Sequence, residues 1–275
     1  MGHTPLFRRR IALPQDHGSW VFLISPLTIG LFAGGAFPPA SLALVVAALA
    51  AFLLRQPVTV AVKVFSGRRP RSDLGAGLFW TTLYGLVALL AVGALVGLGH
   101  GIILWLAIPG ALVFGWHLVL VSRREERHQA GVEILATGVL ALTAPAALWI
   151  GSGSYDPRGW LLWVLTWFQS AASIVYAYLR LEQRGWPSRP DRPARFRLGW
   201  KALAYTSFNF FAAAGAGLVA GFLPRWIFIP FMLQWLETLW GIEHPAVGWR
   251  PMAIGLRQLA VSALFTVAFI LCWRP

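Results

Sequence analysis

Long apolar stretches alternate with short polar ones along the whole chain. A helix needs about 20 apolar residues to cross a bilayer, within a range of roughly 17–25. The pattern predicts nine such spans, at residues 19–36, 39–54, 75–97, 101–120, 131–151, 160–180, 201–222, 225–241 and 254–273. It therefore predicts an all-α, polytopic membrane protein in which residues 1–275 form a single transmembrane domain.

The polar connections between these spans differ in charge, and every second one is basic. If the chain crosses the membrane nine times, all but three of its 23 Lys and Arg residues fall on one side. The exceptions are Arg158, Arg225 and Arg274. Because cytoplasmic loops carry the Lys and Arg excess in polytopic proteins, this bias predicts a cytoplasmic N-terminus and a C-terminus on the other side.

Composition also favours a membrane protein and excludes several other classes. The chain is 57% hydrophobic and 12% charged, whereas about a quarter of the residues in a soluble domain are charged. The net charge of +13 does not indicate nucleic acid, because the basic residues lie in short loops that meet the anionic headgroups of membrane lipids. The one cysteine, Cys272, excludes a disulfide framework and a cysteine-based metal site.

The two longest cytoplasmic connections, residues 55–74 and 181–200, are the first place to look for function. Function concentrates on loops and at the ends of rigid elements, and arginine binds phosphate through paired, charge-assisted hydrogen bonds. The candidate ligand-binding arginines in or beside these connections are Arg55, Arg68, Arg69, Arg71, Arg180 and Arg184. The alternative is that these charges only orient the chain in the bilayer.

Polar side chains within the predicted spans concentrate in the cytoplasmic half. Glu133 lies early in the fifth span, Asn209 in the seventh, and Gln234 and Glu237 in the eighth. A charge in a span is costly and usually faces a cavity or a partner, so the distribution predicts a polar cavity open to the cytoplasm, with Asn209 and Gln234 as further ligand-binding candidates. The alternative is hydrogen bonding between helices, which we favour for Asn209 and leave open for Glu133 and Glu237.

Residues 14–20, at the entry to the first span, carry the remaining candidates. If the protein is an enzyme, Glu133 or Glu237 is the candidate base and His17 the proton donor or orienting group. Asp16 is a candidate helix cap and, together with the free N–H groups of a helix start, a candidate for anion binding.

The histidines do not have the spacing of a metal site. His17, His117, His128 and His244 fall on the cytoplasmic side near carboxylates, but no H-x-x-x-H or H-x-x-E-H spacing occurs. The sequence predicts no metal ligand set, and it leaves open a site assembled from different helices.

The entry motif, together with the end of the second span, resembles the YwiC-like family of bacterial integral membrane proteins. That family typically opens with Pro-x-x-His-Gly-x-Trp and continues with Arg-x-Pro in the first cytoplasmic loop. The matching residues here are Pro14, His17, Gly18, Trp20, Arg55 and Pro57, and residues 124–127 and 143–146 also look like the family. The resemblance implies a multi-pass protein of the bacterial cytoplasmic membrane, and it carries no biochemical role.

The arrangement of spans also resembles the UbiA superfamily of prenyltransferases, whose nine helices have long cytoplasmic loops after spans two and six. That resemblance implies a prenyl diphosphate held through Mg²⁺ on two Asp-rich motifs. In this chain the two loops contain only Asp73, Glu182 and Asp191 as acidic residues, so no motif supports Mg²⁺.

Three functions are compatible with these patterns. The first is a cytoplasm-facing pocket that binds or modifies an isoprenoid, quinone, pigment or lipid, and an enzyme of this kind would be a prenyl or lipid transferase. The second is a non-catalytic accessory subunit or assembly factor of a respiratory or photosynthetic membrane complex. The third is a small transporter, for which the odd number of spans and the apolar outer half offer no visible alternating route.

Overall fold

The computed structural model describes residues 9–14, 17–124 and 130–273, with only the backbone of His17. Within these ranges the chain is helical and contains no β-strand. A 3-10 turn at His17–Trp20 precedes α2, and another at Gly101–Leu106 precedes α5. A π-helical turn at Gly215–Val219 follows α9. The α-helices are α1 (Arg9–Ala12), α2 (Val21–Ala33), α3 (Pro39–Phe65), α4 (Asp73–Gly97), α5 (Ala107–Arg123), α6 (Ala130–Ala141), α7 (Thr143–Ser152), α8 (Arg158–Gln183), α9 (Arg192–Ala214), α10 (Phe228–Glu243) and α11 (Pro251–Trp273).

Seven helical stretches among the described residues are long and apolar enough to cross a membrane. This confirms the all-helical prediction and supports a multi-pass membrane protein. The first and eighth predicted spans are also helical but shorter, since α2 has 13 residues and α10 has 16. The total of nine spans therefore stays a prediction. The seven stretches are Pro39–Phe65, Asp73–Gly97, Gly101–Arg123, Ala130–Ser152, Arg158–Gln183, Arg192–Val219 and Pro251–Trp273.

The helices continue past the ends of the predicted spans. α3 runs on to Phe65, and α9 already begins at Arg192. Basic residues such as Arg55 lie on these extra turns, where a long side chain can reach the headgroups while the backbone stays helical. The two long connections consequently shrink to residues 66–72 and 184–191.

Tryptophans from α8 hold the broken helix formed by α6 and α7. Pro145, near the start of α7, lacks the N–H that would continue the helical hydrogen-bond ladder. On the other side of the break, Trp163 Nε1 donates to Gly138 O at 2.8 Å and Trp167 Nε1 donates to Ile134 O at 2.8 Å. The last two turns of α6 are therefore fixed to α8 by indole hydrogen bonds.

Small residues bring α2 and α7 into close contact. A Cβ on Gly151 would lie 2.8 Å from Gly34 Cα, and a Cβ on Gly30 would overlap the carbonyl of Ala144. Only glycine allows two backbones to approach this closely. Around this contact, one cluster of buried side chains from α2, α7, α8, α10 and α11 includes Ile29, Leu148, Leu162, Phe231, Phe265 and Phe269.

α4 and α5 lie at the edge of this bundle. Only 11% of the apolar window of α4 and 6% of that of α5 are buried, compared with 56% for the stretch that contains α6 and α7. Large apolar side chains therefore cover their outer faces, among them Leu89, Leu90, Trp105 and Leu112.

Most of the arginines lie at one end of the bundle, which we call the basic end. It comprises residues 66–72, 184–191 and 244–250 with the adjoining helix ends. Arg68 Nη1 donates to Val121 O of α5 at 2.6 Å, and Gly248 N donates to Arg184 O at 3.3 Å, so residues 184–191 and 244–250 are joined directly. Arg180 Nη1 donates to Gly241 O and Arg257 Nε donates to Glu237 Oε1, so α8 and α11 both contact the C-terminal half of α10.

Candidate functional site

A carboxylate, a guanidinium and a phenol from three different helices meet near the basic end. Glu237 of α10 accepts from Arg257 of α11 in a bidentate pair, with Nε to Oε1 at 2.6 Å and Nη2 to Oε2 at 2.7 Å. Tyr176 of α8 donates from its hydroxyl to Glu237 Oε1 at 2.9 Å. The Glu237 side chain is 9% exposed and that of Arg257 is 37% exposed. We call Glu237 and Arg257 the helix-linking pair.

An aromatic ring lies against this pair. The guanidinium carbon of Arg257 is 3.6 Å from the centroid of the Trp240 ring, within the range of a cation–π contact. Arg180 approaches the same ring at 5.6 Å and the Trp249 ring at 5.2 Å. Two positive charges and one negative charge therefore share an environment built largely from indole rings.

Arg180 is bound to the C-terminal end of α10. Its side chain is buried, and its Nη1 donates to Gln183 Oε1 at 2.7 Å, Gly241 O at 2.7 Å and His244 O at 2.8 Å. The last carbonyls of a helix have no partner inside the helix and carry partial negative charge. Arg180 satisfies this need, while its role as a phosphate ligand stays a prediction.

Three further arginines surround Glu243, the last residue of α10. Arg192 Nε lies 2.7 Å from Glu243 Oε1, and Arg195 Nη1 lies 3.4 Å from Glu243 Oε2. Arg189 and Arg195 both donate to the Glu243 carbonyl. None of these four residues was among the sequence candidates. The general preference for basic side chains near helix C-termini is the signal that points to them.

A layer of amide side chains lies one turn further into the bundle. Gln234 Nε2 donates to Gln169 O at 3.1 Å and to Ser173 Oγ at 2.8 Å, and Asn209 Nδ2 donates to Phe168 O at 2.8 Å. Both candidate residues thus make hydrogen bonds to α8, and for Asn209 this is the interhelical bonding that we favoured from the sequence. Their role in ligand binding stays a prediction.

The two carboxylates predicted as bases lie on different sides of α8. Tyr178 donates to Glu133 Oε1 at 2.8 Å, whereas Tyr176 donates to Glu237. Two residues apart on a helix, these tyrosines point about 200° apart. Glu133 is exposed and Glu237 is buried in the helix-linking pair, so the structure does not bring the two together.

The predicted arginines of the first loop form a separate group. Arg68 donates to a carbonyl of α5, Arg69 Nη1 lies 3.3 Å from Asp73 Oδ2, and Arg71 is exposed. The Arg55 guanidinium lies 5.8 Å from the Phe52 ring. Arg184 belongs to the second loop, where its Nε donates to Trp249 O at 3.3 Å. None of these hydrogen bonds of the described arginines joins the two loops.

The remaining sequence candidates concern the chain entry and metals. Asp16 and His128 lie outside the described residues, and the backbone of His17 opens the 3-10 turn before α2. Within the described ranges, no three His, Cys, Asp or Glu side chains come close enough to hold a metal ion.

The comparison with protein families bears on the first half of the chain. The model of the YwiC-like protein family matches residues 13–148, about half of the sequence. The chain belongs to the YwiC-like family. This confirms the resemblance seen at Pro14, His17, Trp20 and Arg55. No curated protein and no solved structure matches the chain, so the UbiA-like arrangement stays a prediction.

The YwiC-like match ends within α7, before the helices that carry the charged cluster. α8, α10 and α11 supply Tyr176, Arg180, Glu237 and Arg257, all beyond residue 148. The family match therefore supports the membrane fold, and the case for a site rests on the geometry of the second half.

A second carboxylate–arginine pair lies at the other end of α8. Arg158 Nη2 is 2.7 Å from Asp156 Oδ2, and the Arg158 backbone N–H donates to Asp156 Oδ1 at 2.8 Å. The side-chain hydrogen bond from Arg158 holds the pKa of the Asp156 carboxyl below its usual range. Arg158 is 66% exposed. We call these two residues the turn pair, and they serve as a control for the helix-linking pair.

Proposed function

We propose that this YwiC-like protein binds a lipid-soluble molecule, an isoprenoid, quinone, pigment or lipid, with its polar head beside Glu237 and Arg257. In this proposal the chain crosses a bacterial cytoplasmic membrane nine times in a UbiA-like arrangement, with its N-terminus in the cytoplasm. The basic end then faces the cytoplasm.

The observation that carries the proposal is the position of the helix-linking pair between interior and surface. Glu237 is buried, but more than a third of the Arg257 side chain is exposed. Ionisable groups inside membrane segments are costly and usually mark a binding site or pathway. A polar head group can therefore reach Arg257 without opening the bundle.

The surface beside Arg257 suits the apolar part of such a molecule. On α11, Leu256, the residue before the arginine, is exposed, and on α10 Leu236, the residue before Glu237, is exposed. A chain that lies along these side chains stays in the hydrocarbon layer while its head meets the guanidinium. Arg180 and Arg184 add positive charge at the same end, which favours an anionic head.

The test is native mass spectrometry of the protein extracted from its own membranes in mild detergent, with bound lipids identified. We expect one stoichiometric isoprenoid, quinone, pigment or lipid on the wild type. The Arg257→Gln variant should retain little of this ligand, because the substitution removes the exposed guanidinium. Arg158→Gln, which breaks the turn pair at the other end of α8, is the matched control and should retain the ligand.

A second function is favoured by the exposed faces of α4 and α5. Gly93 and Gly97 have open space around their Cα atoms and lie one helical turn apart on α4. Small residues at this spacing let another helix pack closely, as a subunit or assembly factor of a membrane complex requires. In the same experiment, co-purifying protein subunits with only bulk phospholipid would support this function and contradict the first.

A further inference from the structure

A small polar cavity lies between α8, α10 and α11, next to the helix-linking pair. We call it the amide cavity. It leaves about 20 Å³ of space for a water-sized sphere, and about 10–15 Å³ measured in this way is enough for one water. Its lining residues are Ser173, Tyr176, Gln234, Glu237, Gln258, Val261 and Ser262.

Two lining side chains have a polar atom that is buried without a hydrogen-bond partner. They are Gln234 Oε1, which needs a donor, and Gln258 Nε2, which needs an acceptor. The Gln234 residue is 4% exposed, so bulk water does not reach it. Its amide is oriented by the two bonds from Nε2 to Gln169 O and Ser173 Oγ, which place Nε2 as the donor.

Ser173 contributes a third open position. Its Oγ accepts from Gln169 Nε2 at 3.0 Å and from Gln234 Nε2 at 2.8 Å, which uses both of its lone pairs. Its hydroxyl hydrogen must then find an acceptor, and among the described residues no bond donated by Ser173 is seen. The cavity thus offers two donors, from Ser173 and Gln258, and acceptors on Gln234 and on the Glu237 carboxylate.

The donors and acceptors together select the occupant. A metal cation donates nothing and accepts nothing from an N–H group, so it leaves Gln258 Nε2 unsatisfied. An anion cannot donate to Gln234 Oε1 and is repelled by the Glu237 carboxylate. A water molecule has two lone pairs and two hydrogens, and it typically makes about three hydrogen bonds when buried.

We infer that one ordered water molecule occupies the amide cavity. It accepts from Ser173 Oγ–H and Gln258 Nε2 and donates to Gln234 Oε1, with the Glu237 carboxylate facing its second hydrogen. The water joins the amide layer to the helix-linking pair and so binds α8, α10 and α11 into one polar network. This inference does not depend on the proposed ligand, which approaches Arg257 from the surface.

A crystal structure of the purified protein, at a resolution that shows ordered water, tests this directly. We expect a density peak about 2.7–3.2 Å from both Gln234 Oε1 and Gln258 Nε2. An empty cavity, or a direct hydrogen bond between the two amides, would overturn the inference.

A double-mutant cycle in thermal unfolding tests the same bridge in solution. Gln234 and Gln258 line the same cavity without a direct hydrogen bond, so a bridging water requires the two substitutions to be coupled. The Tm of Gln234→Met/Gln258→Met should therefore fall by less than the sum of the two single shifts. The control cycle, Gln258→Met with Asn209→Leu, should be additive. Additive shifts in the first cycle would contradict a bridging water, whatever the ligand experiment shows.

Discussion

The helix-linking pair and the turn pair contain the same chemistry in two different settings. Asp156 and Arg158 are two residues apart in the chain, and their side chains are 16% and 66% exposed. Glu237 and Arg257 belong to different helices, and their side chains are 9% and 37% exposed. Both pairs have nitrogen–oxygen distances of 2.6–2.7 Å between their closest atoms, so distance alone does not distinguish them.

The difference lies in what happens when one partner is lost. An exposed ion pair contributes about 0–1 kcal/mol, because water solvates each charge almost as well as the partner does. A buried charge that loses its partner has neither water nor a counter-charge to stabilise it, and removing one member of a buried pair costs about 3–5 kcal/mol of stability. The helix-linking pair should therefore govern the packing of α10 against α11, whereas the turn pair should only affect the start of α8.

The largest expected effect comes from breaking the helix-linking pair. Glu237→Gln leaves Arg257 and the buried Arg180 without a counter-charge. We expect a loss of about 2 kcal/mol, less than for a fully buried pair because Arg257 is partly exposed. That loss is equivalent to a fall in Tm of about 4–8 °C. Tryptophan fluorescence during heating in detergent measures it.

The matched control for that variant is Asp156→Asn, which removes the same kind of charge from the turn pair. It should shift the Tm by less than about 2 °C. Equal shifts for the two variants would show that burial of Glu237 does not set the strength of its pair.

A smaller effect should separate geometry from charge. Arg257→Lys keeps the positive charge but loses the bidentate geometry and most of the contact with the Trp240 ring. We expect a loss of about 1 kcal/mol, measured as a fall in Tm. Arg158→Lys, at an exposed site, should be close to neutral. If Arg257→Lys is also neutral, then the helix-linking pair acts through charge alone.

The smallest expected effect is a pH dependence of the turn pair. Since the folded pKa of Asp156 is lowered by Arg158, the contribution of the pair is present above the ordinary carboxyl range. It is lost as the pH falls through that lowered pKa. The slight stability difference between wild type and Asp156→Asn should therefore vanish on acidification. A stability difference that grows at low pH would contradict a lowered pKa of Asp156 in the folded protein.

Much of the fold was visible in the sequence because lipid imposes a simple rule on the chain. Uninterrupted apolar runs mark helices, and each predicted span contains a helix, but α2 ends before residue 36, the helix in span 201–222 ends at Val219, and α10 begins only at Phe228. Helix ends were harder to predict, because arginine occurs both in loops and in the last turn of a helix. α3 thus continues past Arg55, where the apolar run alone predicted an end.

The site was only partly predictable, for a different reason. Glu237 stood out as a charge in a span, but Arg257 counted only as one of many basic residues on the positive side. Its pairing depends on the register of α10 against α11, which no local pattern encodes. Arg180 likewise carries no sequence sign that it binds carbonyls at the far end of α10 rather than a ligand.

The shortness of α2 has a consequence for how the protein enters the membrane. Thirteen residues extend about 20 Å, less than the ~30 Å hydrocarbon core. Its backbone contacts at Gly30 and Gly34 are with α7, which is synthesised much later. α2 is therefore a poor candidate for independent insertion. It should integrate as a hairpin with the 27-residue α3 and reach its final depth only after α7 and α11 have been made, because Ser25 Oγ of α2 lies 2.6 Å from Thr266 Oγ1 of α11.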